Sequence, residues 1–402
     1  VDIATGIIEN YAGTGAQTFS GDGGQATSAA FNGAVALAVD SVSNIYFTDL
    51  GSFRIRKVTY ATGIISTYAG NGIQAVSDNA VATSGSLYNP HGLTIDTLNN
   101  LYMSDQSARV IRKITSGGAL TTIAGTDGVQ ATDQTLANGD GGAATSATLS
   151  SPTGPWVSPL IGYLYFGDDL KIRAIDMATG LISTVAGTGI NSNGGNGGLA
   201  LSADFSGVGC ITATSDESRI FFNDLYNHQV RFLMSAPSTA PTAVPSIAPT
   251  AVPTFAPTFA PTAVPTIAPS AVPSAAPSNS PAFVEMSLFV DVFAGTGDAT
   301  YSGDGGAATS AGLNNPQSPW VDSADQYMYV SMSVTSGSYI RRIDMATNII
   351  TAFAGTGSYS TGLGDGGQAT SAEVWVIVGG IGGNTVGEIF LAEHYPRHVR
   401  VV

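Results

Sequence analysis

The chain has 402 residues, 14 Lys and Arg against 29 Asp and Glu, a net charge of −15, and only 11% charged residues. So few basic groups argue against binding nucleic acid through its phosphates. No apolar run reaches the ~18 residues of a membrane span, and a single cysteine, Cys210, excludes a disulfide within the chain.

Along the chain one segment of about sixty residues recurs. It is marked by Ala12-Gly13, Ala69-Gly70, Ala124-Gly125, Ala186-Gly187, Ala294-Gly295 and Ala354-Gly355. After each mark come a Gly/Asp-rich loop, Ala-Thr-Ser-Ala or a near copy, and apolar runs. In residues 33–70 the runs are Val35 to Asp40, Asn44 to Asp49, Phe53 to Tyr60 and Gly63 to Tyr68. Short, β-branched or aromatic, and divided by tight turns, they predict four antiparallel strands. The five complete intervals leave a sixth split between residues 355–402 and 1–11. An open solenoid needs atypical caps, whereas a ring completes its last unit from both ends. The expectation is therefore an all-β, six-bladed β-propeller, four strands per blade. The absence of an initiator Met or signal peptide suggests a processed or truncated form.

The Asn-Ile-Tyr-Phe-Thr-Asp block at 44–49, followed by Arg54-Ile55-Arg56-Lys57-Val58, resembles the NHL-repeat propellers. Counterparts are Asn100 to Asp105 with Arg109 to Ile114, and Tyr163 to Asp168 with Lys171 to Ile175; blades four to six are looser. The resemblance covers roughly 350 residues and implies the fold; such propellers serve as binding platforms, enzymes and structural units.

One insert interrupts the repeat. From Pro237 to Pro281 proline falls at every fourth position, and the chain divides into residues 1–234, a tract at 235–282, and residues 283–402. The first part holds the outer strand of blade six, blades one to three and most of blade four. The last holds the outer strand of blade four, blade five and most of blade six. Regular proline forbids helix and central strand and favours a polyproline-II rod; fully extended, it would span roughly 135 Å. A disordered linker is the plain alternative. Eleven hydroxyls directly follow prolines and are O-glycosylation candidates: Ser238, Thr242, Ser246, Thr250, Thr254, Thr258, Thr262, Thr266, Ser270, Ser274 and Ser278. Candidate hydroxyproline positions are Pro241, Pro245, Pro249, Pro253, Pro257, Pro261, Pro265, Pro269, Pro273 and Pro277. No Asn-x-Ser/Thr acceptor occurs, so glycans on this chain would be O-linked. The tract resembles the Pro/Ser/Thr stretches of extracellular glycoproteins of algae and other microbes. It falls in the hairpin between the third and fourth strands of blade four. Paired strands lie only ~4.8 Å apart, so a straight rod there implies either a doubled-back stalk or a ring completed by a neighbouring copy.

Catalytic groups are sparse. The Gly-Asp-Gly-Gly loops at 21–24, 139–142, 303–306 and 364–367 each offer one carboxylate (Asp22, Asp140, Asp304, Asp365), too few for calcium. They read as glycine turns pinned by the Asp side chain. Asp49, Asp105, Asp168 and Asp224, at strand ends, are expected to accept backbone bonds in the next turn. Innermost strands are expected at Val35 to Asp40, Gly92 to Asp96, Gly154 to Ser158, Cys210 to Thr214, Ser318 to Asp322 and Trp375 to Gly379. Related lyases and lactonases hold metal in the channel, but His91 has no aligned partner among these strands, and His228, His394 and His398 lie elsewhere. Cys210 reads as a buried structural thiol, and Trp156 and Trp320 as packing residues. All but one of the basic residues, Arg219, fall on third strands. The expected function is a non-catalytic structural subunit of an extracellular glycoprotein fibre or coat, self-associating, without cofactor or membrane span. The alternatives are a secreted adhesion or ligand-binding propeller on a stalk, then a metal-dependent lyase or lactonase.

Overall fold

The computed structural model describes residues 6–131, 133–136, 138–235, 288–334, 337–358, 363–375 and 380–402. Each interval between Ala-Gly marks is one antiparallel sheet, and there are six. Blade one consists of Ala34–Val39, Ile45–Asp49, Arg54–Thr59 and Ile64–Ala69, from the axis outward. Blade two is Pro90–Ile95, Leu101–Asp105, Val110–Ile114 and Leu120–Ala124; blade three is Pro152–Val157, Tyr163–Asp168, Lys171–Asp176 and Ile182–Ala186. Blade four takes Val208–Ala213, Ile220–Asp224 and Gln229–Ser235 from before the tract and Leu288–Ala294 from after it. Blade five is Pro316–Val321, Tyr327–Val334, Gly337–Asp344 and Ile350–Ala354.

Blade six is built from both ends of the chain. Ile381–Gly383, Ile389–Glu393 and His398–Val401 are completed by Ile7–Ala12, with Glu9 opposite Val401 and Asn10 opposite Arg400. Its innermost strand corrects the expectation. Trp375 stands in the approach to the blade, its amide N–H donating to Glu393, and the strand itself is Ile381–Gly383. The run Gly379-Gly380-Ile381-Gly382-Gly383 has no alternation of apolar and polar residues, so the sequence pattern slid to the neighbouring apolar run. Glycine is needed there: a Cβ on Gly380 would meet the Ala392 Cβ, and one on Gly383 the Trp320 ring.

The repeated sequence marks have a mechanical cause. Each Ala closes an outermost strand and is buried, and the Gly after it turns the chain with φ between +87° and +101°. At Gly70 a Cβ would run into the Phe53 carbonyl. The freed Gly N–H then donates to the first Ala of the next Ala-Thr-Ser turn: Gly13 to Ala26, Gly70 to Ala82, Gly125 to Ala144, and likewise in the other three units. Each such turn is one turn of 3-10 helix whose first Ala is buried.

The core lies between blades. Six hydrophobic clusters occupy the six interfaces. The one between blades six and one joins Phe31, Leu37 and Phe47 to Phe390, Val399 and Val401. Both faces of every sheet are therefore covered. That is why second strands such as Ile45–Asp49 and Leu101–Asp105 are buried at every residue and open with three apolar residues in a row, Ile45-Tyr46-Phe47 and Leu101-Tyr102-Met103, rather than alternating.

Candidate functional site

The innermost strands surround a cavity of about 260 Å³ on the ring axis, lined from all six blades. In blades one, three, four and five the strand ladder skips a pair of residues: Val35-Ala36, Gly154-Pro155, Gly209-Cys210 and Ser318-Pro319. A bulge frees residues from the ladder and re-aims them; here Gly154, Cys210 and Ser318 form a waist in the channel wall. Ser318 takes φ +45° there. Trp156 and Trp320 line the same cavity and pack on Tyr165 and Tyr329, ring centroids 5.8 Å and 5.7 Å apart. They pack as expected while keeping an edge on the channel.

Cys210 is half-buried on the channel wall rather than in an interblade core. Burial pushes its thiol up to about 11, so at neutral pH it is protonated and a poor nucleophile.

A second cavity of about 230 Å³ shares the waist and opens between blades two to five. Its polar lining includes His91, Gln106, Thr153, Asp169, Asn223 and Gln317, with Tyr226 among its apolar groups. His91 belongs to the innermost strand of blade two rather than preceding it. Burial, reinforced by His394, lowers its pKa to about 4, so the imidazole is neutral. Burial raises the Asp169 carboxyl above its ordinary range.

The remaining histidines do not join this site. The His228 Nδ1 accepts from the Asn315 N–H at 3.2 Å, while His394 and His398 belong to blade six. Among the described residues no group of three or more His, Cys, Asp or Glu is placed to hold a metal ion.

The loop carboxylates are spent on structure. Each blade buries one Arg of its third strand completely: Arg56, Arg112, Arg173, Arg231, Arg341 and Arg400. Asp22, Asp140, Asp304 and Asp365 of the Gly-Asp-Gly-Gly loops reach these guanidiniums at 2.7 Å, and Asp78 does so in blade two at 2.9 Å. From the other side come the strand-end acids: Asp49, Asp105, Asp168, Asp224 and, in blade six, Glu393, at 3.0–3.6 Å. These acids also accept backbone N–H bonds, but from the segment before the innermost strand, not from the following turn. The donors are Asn32, Tyr88 and Asn89, Ser150 and Ser151, and Ser206. Each guanidinium thus ties the crossover loop to the blade. The sequence showed both halves of this clamp, basic residues on third strands and one acid in each of four loops, without showing that they meet; in blade four the loop side of Arg231 is held by the Gly194 and Asp204 carbonyls instead.

The polar pocket was missed. One signal was available in the repeat: Asn223 stands where the other blades carry Thr48, Ser104, Gly167, Ser331 and Ala392. The eleven O-glycosylation candidates and ten hydroxyproline candidates lie outside the described residues.

No family model matches the chain. Over 150 residues, 33% of its length, it is 35% identical to Teneurin-1 of Gallus gallus, of which it spans only 5%. Among solved structures it is similar to a structural genomics protein of unknown function from Bacteroides thetaiotaomicron, with TM-score 0.62 and 12% identity over 98% of this chain and 75% of that one. It is also similar to XC5397 of Xanthomonas campestris, a gluconolactonase, with TM-score 0.50 and 10% identity over 92% of this chain and 86% of that one. At such identities the likeness is one of fold. The fold is a six-bladed β-propeller, shared by proteins with and without known enzymatic activity. Among the described residues no helix is long and apolar enough to cross a membrane.

Proposed function

We propose that this protein is a non-catalytic, extracellular building block: an NHL-like propeller bead, joined to others by an O-glycosylated Pro-Thr/Ser rod in a fibre or surface coat. The observation that carries this reading is where the tract interrupts the ring. It follows Ser235 and ends before Leu288, at the facing ends of two neighbouring strands in one blade. Those ends are about 5 Å apart, whereas an extended tract would reach roughly 135 Å. A straight tract therefore connects rings only if Leu288–Ala294 completes blade four of another copy. Closure within a chain and closure between copies bury the same side chains, such as Val290, Phe293 and Ala294, so exchange sacrifices no packing. Repeated along a chain of copies it makes a filament.

The regular series of hydroxyls directly after prolines supports a glycosylated, extracellular rod. The loop carboxylates that could have served chemistry are tied to buried arginines, which supports a non-catalytic role. Mass spectrometry of the 237–281 peptide from native material should find sugar-bearing, hydroxylated species. Proteolysis within the tract should break assemblies into single propellers. An unmodified peptide, or an assembly state unchanged by the cut, would overturn the corresponding half of the proposal. A second reading, a ligand-binding propeller, is favoured by the polar pocket beside the axis.

A further inference from the structure

That pocket has the make-up of a binding site, and we propose that it takes one ring of a neutral, hydroxyl-rich ligand, a monosaccharide unit. The inference does not rest on the fibre reading. It begins with Asn223. In blades one and two the equivalent side chain is a hydroxyl that accepts the innermost-strand amide: Thr48 from Ala36 at 3.0 Å and Ser104 from Gly92 at 2.8 Å. In blade four Asn223 does the same work with its Oδ1, accepting from Cys210 N–H at 2.7 Å. A hydroxyl suffices for that bond. The larger amide brings in addition an Nδ2 group with two donors, on a side chain only 2% exposed. Room was cleared for it: a Cβ on Gly209 would lie 2.5 Å from that Nδ2.

The facing groups complement these donors. Gln317 Oε1 is buried in the same pocket without a hydrogen-bond partner. A buried acceptor without a partner is destabilising, and a ligand hydroxyl would satisfy it. His91 is neutral and offers both a donor and an acceptor. Tyr226, 65% exposed at the rim, supplies an apolar face with a polar tip, the form suited to the C–H face of a sugar ring. The charges exclude other classes. No Lys or Arg lines the pocket, and Asp169 does, so an anion would meet one carboxylate and no compensating cation. At about 230 Å³ the cavity falls below the roughly 300–1,000 Å³ of drug-sized sites, which limits it to a single ring.

The test is saturation-transfer NMR of the intact chain with D-glucose, D-galactose, D-mannose, D-xylose and L-arabinose, each also as its methyl glycoside, and with D-glucuronate as the charged comparator. At least one neutral sugar should receive saturation. Asn223→Ser keeps the bond to Cys210 N–H, as Ser104 does for Gly92, and should weaken binding at least tenfold without lowering thermal stability; Gln317→Met should do likewise. The bound sugar should also slow methanethiosulfonate labelling of Cys210, which lines both cavities and is the only thiol. Binding of the methyl glycoside marks the source as a glycan end; binding of the reducing sugar alone marks it as free sugar. The proposal is overturned if no neutral sugar binds, if glucuronate binds better, or if both variants bind as the parent does.

Discussion

Six guanidiniums without solvent contact are an unusual way to hold a fold, because a buried charge is tolerated only when paired and hydrogen-bonded. Arg173 is paired at both ends, by Asp140 at 2.7 Å and by buried Asp168 at 3.5 Å. Arg173→Met should cost about 3–5 kcal/mol, since it strands the Asp168 carboxylate. Blade five supplies the control. There Met332 occupies the strand-end position, and Asp304, the carboxylate on Arg341, is partly exposed. Arg341→Met should therefore cost less than half as much. Denaturant midpoints at unchanged m-value test this, and equal losses would refute the two-sided clamp. The acids carry a pH signature as well. Burial raises Asp49 to about 6 and Glu393 to about 8, against the pull of Arg56 and Arg400. A carboxyl with a raised folded pKa keeps its proton in the native state where the unfolded chain has already lost it. Its stabilising contribution is thus full below the unfolded pKa, near 4.5 for Glu, and is lost as pH rises to about 8. Unfolding free energy should fall over that window, and Glu393→Gln, which copies the protonated side chain, should flatten the fall. An identical slope in the variant would show that Glu393 is ionised throughout. These residues were visible in the sequence as types and positions. Their burial was not, because a third-strand Arg reads the same whether it faces water or a neighbouring blade.

At the scale of elements, legibility followed burial. Strands covered on both faces announce themselves as apolar runs, and the Ala-Gly and Ala-Thr-Ser marks are fixed by one carbonyl contact and one hydrogen bond per unit. The innermost strand of blade six failed to announce itself because it is mostly glycine. Ile7–Ala12 is the element on which closure depends. Ile8 is fully buried in the cluster with Ile389, Leu391 and Val402; Ile8→Ala should cost about 2–5 kcal/mol. Removal of residues 1–11 should lower the melting temperature further, and a synthetic peptide of those residues should restore it. A truncated chain that melts like the parent would mean that blade six stands on three strands. The polar pocket belongs to no single element. It is assembled from four blades, and the repeat that made the fold legible hides any site built from departures from the repeat.

For the whole molecule, the pairing of Glu9 with Val401 sets an order of events. Most contacts within a blade join neighbouring hairpin strands, such as Asp49 with Arg54, and form quickly. The Glu9–Val401 contact closes a loop of about 390 residues, and its entropy must be met before any contact there rewards it. Blade six should thus be the last to assemble, leaving until then the faces that will hold Phe31 and Phe47 on one side and Ile340 and Phe353 on the other open to water. Refolding should show a slow phase assigned to ring completion. During that phase a dilute chain should find its own end, whereas a crowded one, if copies exchange strands as proposed, should meet the end of another; a monomer-to-multimer ratio unchanged by refolding concentration, read by size-exclusion chromatography, would refute that exchange.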